Sequence, residues 1–334
     1  MRNLYFSNVP ATYRADLCRV LYRTLDCEVC FQDPGEVDMG IPLHRWTVKD
    51  LLPLLERYHP SLVFVPEFSP VALRALSFRK RFGYRVVSFC DDSMDMIRGC
   101  DFGWKHRLAR HVVPCLVDEI VVHSPSVRVW YQERFGKGLL MPITADERRV
   151  RPELERVLPL SERLRPGPKP VVGFVGRLVG LKNVPALIRA FEPLQRRAQL
   201  VVIGDGPERD ALESMAPFAL FPGYLAGDEL LAWYNLIDIL VLPSTREAYG
   251  AVTGEALMAG AKVAVSRRAG SSSLAREGEN GCVFDPMDAG GLPRCLEKLL
   301  DTVEAGRTLR LRENLLPYRF EACVEELLGR LAAL

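Results

Sequence analysis

Short runs of branched apolar residues alternate with amphipathic segments along the whole chain. In the first half the runs occupy residues 62–65, 85–89 and 119–122, and helical spacing of apolar residues follows at 70–82, 104–115 and 126–135. Strands and helices that alternate in this way are typical of parallel sheets covered by helices. The pattern therefore predicts an α/β protein.

The alternation stops once and then resumes. Residues 159–170 contain four prolines and several charged residues without any period, which predicts an interdomain linker. Beyond it, apolar runs recur at 171–175, 200–203, 239–242 and 262–265. These runs are apolar on both faces, as expected of strands with helices on both sides. Residues 320–334 end the chain with a predicted amphipathic helix.

Length and composition fit this two-part organisation. A chain of 334 residues has room for two domains, and 48% hydrophobic with 26% charged residues is ordinary for a globular protein. The net charge of +2 does not indicate a nucleic-acid partner. We expect a first domain at residues 1–160, a second at 170–318 and a helical C-terminal segment at 319–334.

Cysteine usage and the N-terminus indicate a reducing compartment. The nine cysteines lie mostly in apolar runs, where free thiols act as small buried hydrophobes. Cys27 and Cys30 lack the second pair that a zinc site needs. The N-terminus has no apolar signal-peptide core, and no stretch approaches the ~20 apolar residues of a membrane span. We expect a cytoplasmic protein, possible contact with the inner face of a membrane being left open.

Candidate chemistry lies in four loops of the second half, each after a predicted strand. Doubly wound sheets bind ligands at this edge. In the first loop, residues 176–183, Gly176 lets the backbone approach an anion, while Arg177 and Lys182 supply positive charge. Together they can hold a diphosphate without a metal ion. A solvated basic loop is the alternative.

The second and third loops are less specific. Gly204 opens a strand-to-helix turn whose glycines suit close packing against a ligand, although a plain tight turn has the same composition. Gly223 and Tyr224 come later in the chain, where backbone and ring can border a nucleobase. A buried turn with one aromatic residue is the alternative there.

The fourth loop, residues 243–250, leads from a strand into a helix that contains Glu255. Glu255 lies among small and apolar residues, where an unpaired carboxylate is costly, so it needs a defined partner such as a pair of ligand hydroxyls. The backbone N–H groups at 250–253 open the helix and suit an anion. The alternative is a helix-capping Glu247 together with a salt-bridged Glu255.

These motifs, in this order and at this spacing, resemble glycosyltransferase family 4, the retaining group 1 transferases of GT-B architecture. The matching positions are Gly176, Arg177, Lys182, 204–207, Pro243, Ser244, 247–250, Glu255, Ala256, Ala259, Gly260, 279–281 and 284–286. The likeness is close over roughly residues 170–290 and holds in outline before them. It implies two Rossmann-like doubly wound domains facing across a cleft. The N-terminal domain would bind the acceptor and the C-terminal domain the donor, with the last helix crossing back to the first.

The resemblance also implies roles for the residues. Arg177 and Lys182 would clamp the donor diphosphate, and Glu255 would accept hydrogen bonds from the ribose. Glu247 would hold hydroxyls of the transferred sugar beside backbone groups of Tyr249 and Gly250. The leaving phosphate would itself receive the acceptor's proton during front-face attack. Neither a metal nor another cofactor is implied.

The first half departs from the family pattern. Family members often carry a glycine pair after the first strand, where residues 8–14 of this chain contain no glycine, and many carry a histidine where this chain has Glu67. Glu67 is therefore either an acceptor-binding residue or a surface carboxylate. Asp91 and Asp92 form either an acceptor-hydroxyl site or a helix-capping turn. The basic residues within 74–111 either meet anionic lipid or form a solvated helix face.

We therefore expect a hexosyltransferase that moves a sugar from a UDP- or GDP-linked donor to a glycan or lipid-linked acceptor, with retention, in surface polysaccharide or glycolipid assembly. The alternative is a nucleotide-sugar binding protein with weak or no catalysis. A sugar-nucleotide epimerase of the same architecture would need acid–base carboxylates and a histidine, which this set of residues does not supply.

Overall fold

A computed structural model describes residues 2–8, 10, 12–33, 38–99 and 103–334. The chain divides into two compact units, one of Met1–Ala145 with Phe320–Leu334 and one of Asp146–Arg319. Cys100, and two positions of the segment 8–14, lie outside the described residues, as do the side chains of Lys105 and His106 in the basic segment.

Each unit is built on one parallel sheet. The strands of the first unit are β1 (Asn3–Ser7), β2 (Cys27–Phe31), β3 (His44–Arg45), β4 (Leu62–Pro66), β5 (Arg85–Cys90), β6 (Glu119–Val122) and β7 (Leu139–Leu140). Those of the second unit are β8 (Val171–Val175), β9 (Gln199–Ile203), β10 (Leu220–Gly223), β11 (Ile239–Leu242), β12 (Lys262–Ser266) and β13 (Gly281–Phe284). The orders are β3-β2-β1-β4-β5-β6-β7 and β10-β9-β8-β11-β12-β13.

The helices alternate with these strands, so the predicted α/β fold class is confirmed. The first unit contains α1 (Ala15–Thr24), α2 (Leu51–Tyr58), α3 (Pro70–Phe82), α4 (Met94–Arg98), α5 (Trp104–Leu116) and α6 (Pro125–Phe135). The second contains α7 (Glu147–Arg156), α8 (Leu158–Leu164), α9 (Val184–Phe191), α10 (Arg209–Met215), α11 (Gly227–Leu236), α12 (Val252–Met258) and α13 (Gly291–Leu300). The last helix, α14 (Phe320–Ala332), returns to the first unit.

The strand order in both units reverses next to the first strand, which fixes where a ligand binds. In the first unit the chain turns from β1 towards β2 on one side and towards β4 on the other. In the second unit the same reversal lies between β8 and β11. Open α/β sheets bind ligands in the crevice at the carboxyl ends of these two strands.

Half of the segment predicted as a linker, residues 159–170, is helical. Residues 158–164 form α8, which packs against α11, and residues 146–160 belong to the second unit rather than the first. Pro159 lies in the first turn of α8, where its missing N–H breaks no helical hydrogen bond. Proline at that position starts a helix, so its presence was a poor sign of a linker.

Two of the nine cysteines depart from the pattern of free, buried thiols that the sequence indicates. Cys282 on β13 and Cys295 on α13 form a disulfide with a Cα–Cα distance of 5.8 Å. The sequence could not show that this strand and this helix pack together. Six other cysteines are free in the described part of the chain, among them Cys30, where burial raises the thiol pKa to about 12.

None of the described helices combines the length and the apolar character that a membrane crossing requires.

Candidate functional site

The loops that follow β8 and β11 form one rim of the crevice in the second unit. Thr245 donates its backbone N–H to the carbonyl oxygen of Leu181 at 2.9 Å. The Asn183 side-chain amide donates to the carbonyl oxygen of Pro243 at 3.3 Å. These bonds join the first and fourth predicted site loops across the point where the strand order reverses.

An ion pair spans this junction. The ammonium group of Lys182, in the β8 loop, donates to the carboxylate of Glu247, in the β11 loop. Ser244 donates to the same carboxylate oxygen at 3.3 Å. Both side chains keep some solvent exposure, 23% for Lys182 and 15% for Glu247. Glu247 therefore pairs with a lysine instead of capping α12, and two residues 65 positions apart in sequence meet at one point.

Arg177 lies exposed on the same β8 loop as Lys182. A guanidinium can donate two parallel hydrogen bonds to phosphate oxygens, whereas an ammonium acts as a compact charge. The loop thus presents both cations at the carboxyl edge of the sheet. That residues 176–183 bind an anion stays a prediction.

Gly204 is required by contact between two loops of the protein. Its φ is +135°, and a Cβ atom there would overlap the carbonyl oxygen of Gly176. The Gly176 N–H donates to Ile203 at 3.0 Å, and the Leu178 N–H donates to Asp205 at 2.9 Å. The turn after β9 therefore packs against the cation-bearing β8 loop and supports it, and contact of Gly204 with a ligand stays a prediction.

Tyr224 and Gly223 lie at the end of the edge strand β10. The Tyr224 ring is 76% exposed, so the alternative of a buried aromatic turn is wrong. Gly223 has a φ of +88°, and its carbonyl oxygen accepts the Gly204 N–H at 2.8 Å. The exposed ring is positioned where a flat ligand group can lie against it.

Tyr249 and Gly250 form the sharp turn before α12. Tyr249 is buried, and its carbonyl oxygen accepts the Ser271 N–H at 2.8 Å. Gly250 has a φ of +89°, and a Cβ atom there would overlap the Leu242 side chain. The turn is thus fixed by packing against β11, which holds the backbone beside Glu247 in one conformation.

Glu255 has the defined partner that its surroundings require, and that partner is Tyr234 on α11. The Tyr234 hydroxyl donates to Oε2 of Glu255 at 2.5 Å. Burial raises the pKa of the Glu255 carboxyl above its usual range, although the hydrogen bond from Tyr234 lowers it. The salt-bridge alternative is therefore not what the structure shows. Tyr234 was missed because nothing in its helix marks it as a partner of α12.

The first unit has a cavity at the equivalent place in its own sheet. Its volume is about 400 Å³, and its lining comes from residues that follow β1, β4 and β5. Arg14, Glu67 and Asp91 contribute the ionisable groups of this lining. The cavity lies at the reversal between β1 and β4, so each unit has a polar site at its switch point.

Asp91 is held in this cavity by an arginine and a histidine. Arg14 donates to its Oδ1, and Nε2 of His123 lies 2.8 Å from the same oxygen. Nδ1 of His123 lies 2.7 Å from the carbonyl oxygen of Met141, so both ring nitrogens face acceptor atoms. Burial alone would raise the pKa of Asp91, but Arg14 and His123 outweigh it and hold the pKa well below its usual range.

Asp92 has different partners from Asp91. Arg110 donates two hydrogen bonds to its carboxylate, at 2.7 and 2.8 Å, and both side chains are buried. The Tyr131 hydroxyl donates to it as well, at 3.3 Å. Asp92 is therefore a structural ion pair inside the first unit, and Arg110 does not belong to the basic surface expected at 74–111. The Ser93 hydroxyl accepts the Met96 N–H, so Ser93 supplies the capping bond that was assigned to the aspartates.

Glu67 is strained and partly buried rather than a plain surface carboxylate. It has a φ of +37°, which is rare for a residue with a Cβ atom, and its Oε1 accepts the Asp91 N–H at 2.9 Å. Burial, and then the negative charges of Asp91 and Asp92, raise its pKa to about 7. Strained backbone and a shifted pKa beside a cavity are typical of functional sites.

Sequence comparisons match mainly the second unit. The model of the family described as Glycosyl transferases group 1 matches residues 169–302. A GDP-mannose-dependent alpha-mannosyltransferase of Corynebacterium glutamicum is 39% identical over 138 residues, 40% of this chain and 32% of that protein. A protein of the same description from Mycobacterium tuberculosis is 30% identical over 250 residues, 71% of this chain and 62% of that protein.

The second unit is thus similar to the group 1 glycosyltransferases over residues 169–302.

Solved structures of this architecture match both units. The Anabaena protein HepE in complex with UDP aligns over 100% of both chains with a TM-score of 0.80 and 16% identity. Sucrose-phosphate synthase from Thermosynechococcus elongatus aligns over 100% of both chains with a TM-score of 0.77 and 17% identity. These likenesses confirm the predicted GT-B fold of two Rossmann-like domains. The chain spans 32% of the length of the Corynebacterium glutamicum relative and 62% of the length of the Mycobacterium tuberculosis relative.

Replacing Glu67 with glutamine is expected to change how stability depends on pH. The folded protein keeps the Glu67 proton up to about pH 7, whereas the unfolded chain releases it near pH 4.5. The wild type therefore loses stability from this group as pH rises through that window, and Glu67→Gln does not. By pH 8 the stability of the variant relative to the wild type should be about 3 kcal/mol greater than it is at pH 4.

Thermal denaturation of both proteins from pH 4 to pH 8 measures this difference. The matched control is Glu133→Gln, which removes a carboxylate that is 68% exposed in the same unit. Its difference from the wild type should not change with pH. A Glu67→Gln difference that is also flat would show that Glu67 ionises normally.

Proposed function

We propose that this protein is a retaining glycosyltransferase that moves a hexose from a nucleotide-diphosphate donor to a glycan or lipid-linked acceptor. The observation that carries the proposal is the Lys182–Glu247 pair, which lies at the switch point of the unit that matches the group 1 glycosyltransferases. A cation for phosphate and a carboxylate for hydroxyls are the two groups that a nucleotide sugar requires side by side.

Donor binding would exchange the partners of this ion pair. The diphosphate would take Lys182 away from Glu247 and would also bind Arg177, whose fork matches phosphate oxygens. Glu247 would then accept hydrogen bonds from hydroxyls of the sugar. The two cations would neutralise the diphosphate, so we propose that the reaction needs no metal ion. Among the described residues, no group of three His, Cys, Asp or Glu side chains could hold one.

The nucleoside part of the donor would bind further along the same edge. The hydrogen bond from Tyr234 holds Oε2 of Glu255, which would leave Oε1 to accept from the ribose hydroxyls. The exposed ring of Tyr224 would lie against the base. A carboxylate oriented in advance loses little further freedom when it binds a ligand, which favours affinity.

In the reaction, the bond between the anomeric carbon and the diphosphate oxygen would break and a bond to the acceptor oxygen would form on the same face. The acceptor proton would pass to the departing phosphate oxygen. Lys182 and Arg177 would stabilise the charge that develops there. Positioning of the donor and the acceptor would supply much of the remaining rate enhancement. Glu247 would hold the sugar ring during the transfer.

We assign the acceptor to the first-unit cavity. Asp91, fixed as a carboxylate by Arg14 and His123, would accept a hydrogen bond from an acceptor hydroxyl. Glu67 would supply a second polar contact. A relative from Mycolicibacterium smegmatis, 27% identical, is described as a GDP-mannose-dependent phosphatidylinositol monomannoside mannosyltransferase. That name supports GDP-mannose as the first donor to test and a glycolipid as the first acceptor, which fits glycolipid or surface-polysaccharide assembly.

The second candidate function is nucleotide-sugar binding with weak or no catalysis. It is favoured by the first unit, where Arg14 forms an ion pair with Asp91 in a site for which the family pattern has glycines and a histidine. Both candidates predict donor binding. Only the first predicts that the donor is consumed.

Thermal shift with GDP, UDP, ADP and their sugar conjugates tests the donor site. A ligand at 100 times its Kd should stabilise the fold by about 2.7 kcal/mol, a shift of several degrees. Glu255→Ala should abolish this shift, whereas Glu297→Ala, which removes an exposed glutamate on α13, should preserve it. If no nucleotide shifts a well-folded wild type, the assignment of the donor site is wrong.

A further inference from the structure

The outward face of α5 is apolar, which is unusual for a helix at a protein surface. Trp104, Leu108, Val112 and Leu116 recur every four residues and are 65%, 56%, 43% and 46% exposed. The opposite face of α5 is buried, because Val113 packs in the core and Arg110 pairs with Asp92. A surface helix normally places polar residues on its outer side. This continuous stripe is therefore larger than the scattered single apolar residues that need no explanation.

The two helices at this surface, α5 and its neighbour α3, carry charged residues of one sign only. The adjacent helix α3 is linked to α5 by a hydrogen bond from Arg79 to the carbonyl oxygen of Leu116, at 2.7 Å. Neither α3 nor α5 contains an aspartate or a glutamate. Among the side chains that the structure describes, their exposed cations are Arg74, Lys80 and Arg81 on α3 and Arg107 on α5, and Arg81 also pairs with Glu56 of α2 at 3.1 Å. Leu73 on α3 adds a further apolar side chain, which is 50% exposed.

We propose that this face, the stripe 104–116 with the exposed residues of α3, binds the surface of an anionic phospholipid bilayer. The apolar side chains would enter the boundary between headgroups and acyl chains, and Trp104 would lie at the headgroup level. The arginines and lysine would contact lipid phosphates. A helix whose inner face is already packed into a folded unit can lie in the membrane plane but does not cross the bilayer.

The charge pattern favours a lipid surface over a second copy of the chain. Two copies that met through this face would bring their cations together around the apolar stripe, which opposes association. A bilayer rich in phosphatidylglycerol supplies negative charge and an apolar layer at the same surface. The inference stands independently of the donor chemistry in the second unit, so either can fail without the other.

Flotation with lipid vesicles tests the proposal. The wild-type protein should float with vesicles of phosphatidylcholine and phosphatidylglycerol, and should not float with vesicles of phosphatidylcholine alone. Binding should fall when the salt concentration is raised, because exposed charges are then screened. The double variant Leu108→Glu/Val112→Glu should reduce vesicle binding at least about tenfold, since it places charge in the membrane-facing stripe.

The matched control is Met287→Glu, which changes a residue that is 72% exposed in the other unit and should bind vesicles like the wild type. A second variant, Lys80→Glu, should weaken binding and its salt dependence while leaving the apolar stripe intact. Equal flotation with neutral and anionic vesicles, or none with either from folded protein, would overturn the proposal. So would a concentration-dependent dimer of the wild type that Leu108→Glu/Val112→Glu abolishes, because the face would then bind a second copy.

Discussion

Replacing Lys182 with alanine is expected to lower the rate of donor turnover by about 10²–10³-fold, the usual cost of losing one preorganised donor at a developing negative charge. The ammonium group lies at the switch point and already forms a charged hydrogen bond, to Glu247. Its loss removes the charge that would neutralise the departing diphosphate. Turnover is measured as release of nucleoside diphosphate from the sugar donor.

The control for this variant is Lys298→Ala. Lys298 also pairs with a glutamate, Glu277, but both side chains are more than half exposed. Neither residue belongs to the four predicted site loops. Removing that pair should leave turnover within about twofold, as expected of a surface ion pair. A turnover loss in Lys298→Ala equal to that in Lys182→Ala would point to a general effect on folding.

A variant of Glu247, the partner of Lys182, separates the effect on donor binding from the effect on catalysis. In Glu247→Gln, a nucleoside diphosphate no longer competes with a carboxylate for the ammonium group of Lys182. Its affinity should therefore stay equal or rise. Turnover should nevertheless fall, because the contact to the sugar is weakened. In Lys182→Ala the affinity should fall as well. Matching losses of affinity in both variants would contradict the proposed exchange of partners.

Replacing Gly204 with alanine is expected to destabilise the second unit by about 3 kcal/mol or more, combining backbone strain with a steric overlap. The φ of +135° and the nearby carbonyl oxygen of Gly176 leave no room for a methyl group. For a unit of this size the melting temperature should fall by roughly 6–12 °C. Calorimetry of the variant and the wild type measures the change.

Gly167→Ala is the matched control for Gly204→Ala. Gly167 has a similar φ, +144°, but no heavy atom lies within 4 Å of the place where its Cβ atom would be. It therefore measures strain without overlap, and its effect should be clearly smaller. If the two variants lose equal stability, the contact between the β9 turn and the β8 loop contributes nothing.

The elements of the fold were predictable because local pattern determines them. The helix 70–82 has the bounds that the sequence predicts, with Ser69 as its cap, Pro70 in its first turn and Gly83 after its end. The strands at 171–175 and 239–242 were found in the same way, since buried strands are continuous apolar runs. Loops after such strands then gave the general location of the site.

Long-range contacts were not predictable from the sequence. Spacing along the chain does not reveal that Lys182 meets Glu247, that Tyr234 meets Glu255, or that Cys282 bonds to Cys295. These contacts depend on how strands and helices pack in three dimensions. His123 gave one signal that could have been used, because it directly follows the predicted strand 119–122, at the ligand-binding edge of the sheet.

The claim that the protein transfers a sugar with retention is tested most directly by proton NMR of GDP-mannose, UDP-glucose and related donors incubated with the protein and a panel of sugar and glycolipid acceptors. The account predicts that one donor is consumed, that its nucleoside diphosphate appears, and that the first sugar product keeps the anomeric configuration of the donor. A donor that binds, as judged by thermal shift, but stays unchanged would contradict transfer and support the binding-protein alternative. A product of inverted configuration would contradict retention.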